Sequence, residues 1–382
     1  MNILALEPYY GGSHRAFLDG WSSLSRHEWT LLTLPAYKWK WRMRHAAVTF
    51  ADELASPAVA PGEWDVVLCS DMLNLAEFLG LAPRGVRGLP AVAYFHENQL
   101  TYPVRFQSER DYQFAVTNMT TALAARAVWF NSAFHRDSFL EALSDLLKRM
   151  PDNRPLNAVH RIRKKSLVYP QGVEIAATRG PRKPGPLRIL WAARWEHDKR
   201  PEDFFEALTM LEARGVDFRI SVIGEQFRDS PDVFESARRR FARRIERWGR
   251  RETRAEYEAA IVEADVFVST AAHEFFGISA VEAVLAGAYP LLPKRLAYPE
   301  ILALGAESNE EFFYDGSVAE LARKLAELAA RLAEGALWRA DPGRLSRLMS
   351  KFRWPNLVPF LDDAIENTRG SPTQRSEMEP AG

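Results

Sequence analysis

Short apolar runs alternate with longer segments of helical pattern along this chain. Runs rich in branched and aromatic residues lie at residues 3–6, 29–34, 65–70, 91–96, 127–131 and 166–169, each long enough for one strand. With a helical segment between successive runs the order is β-α-β, which makes the sheet mostly parallel. A proline- and glycine-rich stretch at 179–186 interrupts this rhythm, which restarts at 188–193, 217–223, 265–270 and 289–292. Two doubly wound α/β domains joined by that linker are the expected architecture. Residues 354–365 read as a final amphipathic helix, with Pro355 in its first turn where a missing N–H does no harm, placed to pack back on the first domain. The expected division is a first domain at 1–178, completed by a helix at 353–369, and a second domain at 179–352. Residues 370–382 hold too little apolar surface to offset the entropy of ordering them, so a disordered tail is expected there.

At 382 residues, 47% hydrophobic and 26% charged, the chain is long enough for two sizeable cores and too apolar to be disordered throughout. Lys plus Arg and Asp plus Glu both number 50, so no global field recruits nucleic acid or an anionic membrane. Any polyanionic partner must be held by a local patch. Cys69 is the single cysteine, which excludes internal disulfides and zinc sites built from several thiolates. A reducing compartment fits, and the cytoplasm is the expectation. The N-terminal run lacks a basic start and is broken by Glu7 and Pro8, so it reads as a strand rather than a leader. The longest apolar stretch, 283–293, contains Gly287 and Pro290 and falls short of the roughly 18 residues a spanning helix needs, so no membrane segment is expected.

The strongest candidate chemistry follows the run at 265–270, where His273-Glu274-Phe275-Phe276-Gly277-Ile278-Ser279 leads into a helical pattern carrying Glu282. A strand, a glycine turn and a helix start present unpaired backbone N–H groups, here around Gly277 to Ser279, together with the positive end of the helix dipole, which suits a phosphate. Glu274 and Glu282 are separated by roughly 12 Å of rise if helical, too far for the acid and base of a glycoside hydrolase. They could accept hydroxyl hydrogen bonds at opposite ends of a sugar nucleotide, or serve as a capping acid and a solvated helix residue. Arg194 and Lys199 follow the first strand of the second domain, at the edge where open α/β sheets bind ligands. An Arg fork and a Lys point charge suit a diphosphate, although a charged loop is as readily solvated surface.

In the first domain Tyr9-Tyr10-Gly11-Gly12-Ser13-His14 occupies the same edge, with paired glycines that permit close approach of a ligand but without the Gly-Lys-Ser/Thr of a P-loop. His96-Glu97-Asn98-Gln99 ends another strand there, and His96 is either functional or a core or capping histidine. Tyr37, Trp39, Trp41 and Met43 alternate with Lys38, Lys40, Arg42 and Arg44. In an extended segment this puts aromatics on one face and cations on the other, which suits single-stranded or looped RNA or a half-buried strand with a solvated basic face. Arg161, Arg163, Lys164 and Lys165 add a basic patch, as does the arginine run from Arg238 to Arg251, read as a mostly solvated helix or a domain-edge surface. No Asp-x-Asp pair occurs and the histidines are dispersed, so no metal site is expected.

The spacing of Glu274 and Glu282, taken with Arg194 and Lys199, resembles family 4 glycosyltransferases, whose GT-B fold sets two Rossmann-like domains facing a central cleft. The resemblance implies that Glu274 and the backbone of Phe275, Phe276, Gly277, Ile278 and Ser279 hold the donor sugar, Glu282 the ribose, and Arg194 with Lys199 the diphosphate, while Gly11 and Gly12 lie near the donor. The first-domain motifs, Pro8 to His14, Trp39 to Arg44 and Tyr94 to Pro103, are similar to those of the tRNA-queuosine mannosyltransferase family. That family's chemistry implies a retaining transfer of mannose from GDP-mannose, as co-substrate and without a metal or other cofactor, to the cyclopentenediol of queuosine in the anticodon of an aspartate tRNA. His96 and Glu274 would act at the reacting sugar. His14, Lys38, Trp39, Lys40, Trp41, Arg42, Arg44, Glu97, Asn98 and Gln99 would meet the tRNA. A family 4 enzyme acting on a lipid, a glycan or a small metabolite would not need Lys40, Arg42 or Arg44, and a non-catalytic RNA-binding protein would bind tRNA without turnover.

Overall fold

Alternation along the first strand dictates a sheet covered on both sides: Leu4 and Leu6 turn to one face, Ile3 and Ala5 to the other, and all four are buried. In the computed structural model, which describes residues 1–56, 62–104, 110–177, 179–180, 182, 184–227, 229–303, 309–339 and 341–369, two such sheets form. The first contains β1 (Asn2–Tyr10), β2 (Glu28–Pro35), β3 (Val66–Ser70), β4 (Ala91–Phe95), β5 (Ala127–Phe130) and β6 (Ser166–Val168), in the order β2-β1-β3-β4-β5-β6. The second contains β7 (Leu187–Ala192), β8 (Phe218–Ile223), β9 (Ile245–Gly249), β10 (Val266–Val268), β11 (Tyr289–Pro293) and β12 (Phe313–Tyr314), in the order β12-β11-β10-β7-β8-β9. The strand pairings in both are parallel.

The strand order reverses beside β1 and β3 in one sheet and beside β7 and β10 in the other. Loops leaving the carboxyl ends of strands at such reversals splay apart and leave a crevice for a ligand. The glycine pair, Arg194, Lys199 and the Glu274 loop all lie on these loops. None of the helices among the described residues is long and apolar enough to cross a membrane.

One segment differs from the expectation. The alternating segment at Tyr37 to Arg44 is not extended, because Lys38 takes a left-handed backbone (φ 52°) and starts the helix Trp39–Ala55. Its buried residues, Met43, Ala46, Ala47, Phe50 and Ala51, follow helical spacing, so the aromatic and basic side chains do not divide between two faces. The arginine run divides between the helix Val233–Arg240 and β9 at the sheet edge, in line with the domain-edge reading. The tail at 370–382 lies outside the described residues.

The helix Trp354–Asn367 returns to the first domain. The Trp354 indole fills a slot between Gly20 and Gly172, where added Cβ atoms would come within 2.2 and 2.3 Å of its ring. Leu357, Leu361 and Ile365 join Phe17, Trp21 and Trp129 on one face of the first sheet. Buried Asp362 accepts from the Trp21 Nε1 (2.7 Å), the Ser25 hydroxyl (2.7 Å) and the Arg26 amide (2.9 Å), so the helix is tied polar as well as apolar.

Candidate active site between the two domains

The second domain's side of the cleft is shaped by two glycines. Gly224, at the end of β8, has φ 154°, and a Cβ there would lie 1.7 Å from the Ala193 carbonyl, so only glycine lets the loop carrying Arg194 close down on β8. Gly277 has φ 98° and starts the helix Ile278–Leu285; a Cβ there would meet the Tyr298 ring at 2.8 Å. By helix geometry the amides of Ile278 and Ser279 lack intrahelical acceptors and point, with the dipole, into the cleft end of the helix.

Lys199 sits beneath this turn. Its ammonium donates to the His273 carbonyl (2.8 Å) and pairs with Asp198 (3.1 Å) and Glu274 (3.3 Å). Burial works against the charge, but the Glu274 and Asp198 carboxylates more than offset it and raise the ammonium above the ordinary lysine value. Glu274 keeps about a quarter of its side chain exposed, at 27%. Phe275 and Phe276 bring no side chain to the crevice: Phe275 stacks on His135 at 3.8 Å, and Phe276 packs edge-on against Phe352. Glu282 is buried and already engaged, its oxygens accepting from Arg254 (2.7 Å) and the Tyr257 hydroxyl (2.7 Å). Even so, burial raises its carboxyl above the ordinary range.

On the first domain's side the paired glycines shape the turn after β1, and the space beside Gly12 is open. A Cβ on Gly11 would strike Ala36 at 2.4 Å, and Gly12 takes φ 53° to begin the helix Gly12–Ser22. This turn sets His14 over the buried Glu7, Nδ1 to Oε2 at 3.0 Å, with its ring 4.0 Å from that of His96. Burial opposes a charge on His14, but Glu7 overrides it and lifts the imidazole to about 9. Burial, and then the neighbouring His14 and His135, hold His96 well below the usual histidine value. A charged imidazole therefore lies against a neutral one. Asp71, after β3, accepts the His96 amide through Oδ1 (2.8 Å), while its Oδ2 has no hydrogen-bond partner, and burial pushes the carboxyl up to about 8. Glu7, His14 and His96 offer possible metal-ligand atoms within 4.8 Å of one another, but Glu7 also accepts from Ser70 (3.0 Å) and the Tyr9 amide (2.8 Å).

The sign of the pH dependence follows from His14. Its pKa is raised on folding, so the Glu7 pairing stabilises in full below the unfolded value of 6.5 and is lost as pH rises through about 9. Melting curves of the wild type and Glu7→Gln should differ most near pH 6.5 and converge above pH 9. A constant difference across that range would contradict the pairing.

Of the remaining residues of the His96 segment, Asn98 is fully buried and its carbonyl accepts from the Leu100 and Thr101 amides, so it builds the turn and does not face the cleft. Gln99 is buried and donates to Glu97 (3.0 Å). Lys40, Trp41 and Arg44 are exposed on the helix Trp39–Ala55, and Lys38 is exposed just before it, with Arg44 paired to Asp111 (3.0 Å), while the Arg42 side chain donates to the Pro35 carbonyl (3.0 Å). Trp39 is half-buried and packs on Phe114 at 5.1 Å. Sequence reasoning missed Glu7 and Asp71, whose signal was a carboxylate within or just after a wholly apolar strand.

Besides the His135–Phe275 stack, polar and aromatic contacts join the domains across the cleft. Arg194 donates to the Tyr102 hydroxyl (2.7 Å), and His273 meets the Tyr102 ring edge-on. The Ser132 hydroxyl donates to the Phe275 carbonyl (2.6 Å). The Glu300 carboxylate accepts the Ala133 and Phe134 amides (2.9 and 3.1 Å) at the start of the helix Ala133–Lys148.

Comparison with known proteins agrees with this architecture. The family profile described as tRNA-queuosine alpha-mannosyltransferase N-terminal matches residues 2–173, and that of glycosyl transferases group 1 matches residues 175–331. A tRNA-queuosine alpha-mannosyltransferase of Drosophila melanogaster is 36% identical over 315 residues, 78% of this chain and 81% of its own. Among solved structures, sucrose-phosphate synthase from Thermosynechococcus elongatus superposes with a TM-score of 0.68 at 14% identity, over 96% of this chain and 99% of its own. HepE of Anabaena, solved in complex with UDP, gives 0.66 at 14% identity, over 96% and 100%. These likenesses establish the GT-B arrangement of the two domains.

Proposed function

Since the chain belongs to the tRNA-queuosine alpha-mannosyltransferase family, we propose that it moves mannose from GDP-mannose to the cyclopentenediol of queuosine in the anticodon of an aspartate tRNA, with retention at the sugar. One juxtaposition supports this reading above others. Trp39 and Lys40 of the family's first domain line the cleft opposite Trp195 and Glu196, next to the anion cradle of Arg194, Lys199 and the Ile278 and Ser279 amides.

The donor diphosphate would take Arg194 from Tyr102 and draw Lys199 off Glu274, leaving that carboxylate to accept hydroxyls of the sugar. Glu282 takes the ribose by sharing Arg254 or Tyr257. Neutral His96 has one donor and one acceptor nitrogen for the sugar's hydroxyls. The bond from the anomeric carbon to the phosphate oxygen breaks as the acceptor oxygen approaches on the same face, and the departing phosphate takes the acceptor's proton. No separate base is needed.

Mass spectrometry of nucleosides from tRNA incubated with the protein and GDP-mannose tests the proposal. One hexose gained on queuosine, and none on tRNA lacking it, is expected; gain on both or on neither overturns it. The exposed cations of the helix Trp39–Ala55 supply a second test. Lys40→Ala with Arg44→Ala should weaken tRNA binding and flatten the dependence of log affinity on log salt by about one for each phosphate that is no longer neutralised. An unchanged slope would remove this helix from the RNA interface.

A further inference from the structure

A cavity of about 600 Å³ lies between the domains, and its lining shares no residue with the cradle of Lys199, Glu274 and the Gly277 turn. Trp39, Tyr102 and Phe114 form its wall on one side, and Glu196, His197 and Phe227 on the other. Trp39 is held at its angle by Phe114, with the Lys40 ammonium 5.6 Å from its ring, and Phe227 is 41% exposed. On that other side Glu196 keeps part of its side chain exposed to the cavity, at 29%, while its inner oxygen, Oε2, is ion-paired with Arg194 at 3.2 Å. Burial raises this carboxyl above the ordinary glutamate value, and Arg194 offsets that only in part.

An aromatic wall across from a carboxylate whose ion-pair partner, Arg194, is shared with the donor side suits a flat ring system that carries a cation. Queuosine has this chemistry, since a secondary amine, protonated near neutral pH, joins its base to the cyclopentenediol. Resting on the mannosyltransferase reading above, we propose that this cavity receives the acceptor nucleoside, with Trp39 against the face of its base and Glu196 as the counter-ion of its ammonium. Arg194 then serves both subsites. Once the donor diphosphate claims it, Glu196 is left with the charge of the acceptor alone, which orders donor before acceptor.

The test uses the full-length protein, GDP-mannose, and tRNA carrying either queuosine or guanosine at the same position. The wild type should bind the queuosine form more tightly. Glu196→Gln should raise KM for that tRNA roughly tenfold, the loss of one charge-assisted hydrogen bond, and erase the preference in binding, with affinity for GDP-mannose unchanged. Trp39→Ala should weaken binding of both tRNAs by roughly tenfold or more, and Trp39→Phe should restore most of it. A preference that survives in Glu196→Gln overturns the counter-ion role. Weakened GDP-mannose binding in that variant also overturns it, making Glu196 a support for Arg194. Turnover of queuosine tRNA with both variants unaffected defeats the cavity assignment alone, whereas no turnover by the wild type defeats the functional reading and this inference together.

Discussion

Glu274→Ala is expected to lower kcat/KM for mannosyl transfer by a factor on the order of a thousand, the scale set by removing one charged group aimed at the reacting centre. The side chain is partly exposed and its partner Lys199 keeps both Asp198 and the His273 carbonyl, so no buried charge is orphaned by the change. The melting temperature should therefore move little. Glu274→Gln, which still accepts hydroxyl hydrogen bonds, should recover part of the rate. Initial rates and thermal melts on the same samples separate the two effects. Full activity of Glu274→Ala would remove this residue from the donor site.

The second large effect is on stability. Trp354→Ala should destabilise the protein by about 3–5 kcal/mol, the usual loss for truncating a buried aromatic in a site that cannot collapse. Its slot is walled by the Gly20 and Gly172 backbones, which have no side chains to swing into the void. The helix it anchors covers Phe17, Trp21 and Trp129, so a denaturant titration should show the first domain losing cooperativity first. A shift under about 1 kcal/mol would mean that Leu357, Leu361, Ile365 and the Asp362 hydrogen bonds hold the helix without the indole.

Most strands were legible because both sheets are parallel and covered on both faces, which leaves near-continuous apolar runs in the sequence. Strand β9 was not, since at the sheet edge it places two adjacent charges, Glu246 and Arg247, between its only large apolar residues, Ile245 and Trp248. The helix Trp39–Ala55 was hidden differently. Its first residues alternate between aromatic and cationic, while its core positions after Met43 are largely alanine, whose small hydrophobic signal is outweighed. The cleft loops could be found because glycines and charges follow strands at the topological reversals. What local spacing could not supply was the partner of each charge. Glu282 meets Arg254 and Tyr257 from 28 and 25 residues away, and Glu7 meets His14 only because Gly12 turns the backbone back on itself.

The helix Ala133–Lys148 begins in one domain and is finished by the other, because the Glu300 carboxylate supplies the acceptors its first amides lack. Parting the domains would exchange this carboxylate for water at the Ala133 and Phe134 amides, at a cost of roughly 1 kcal/mol, while the Ser132 cap on the His135 amide would stay in place. A contact of that size resists separation of the domains yet releases readily. That helix end lies beside the donor loop, since Ser132, one residue before Ala133, donates to the Phe275 carbonyl.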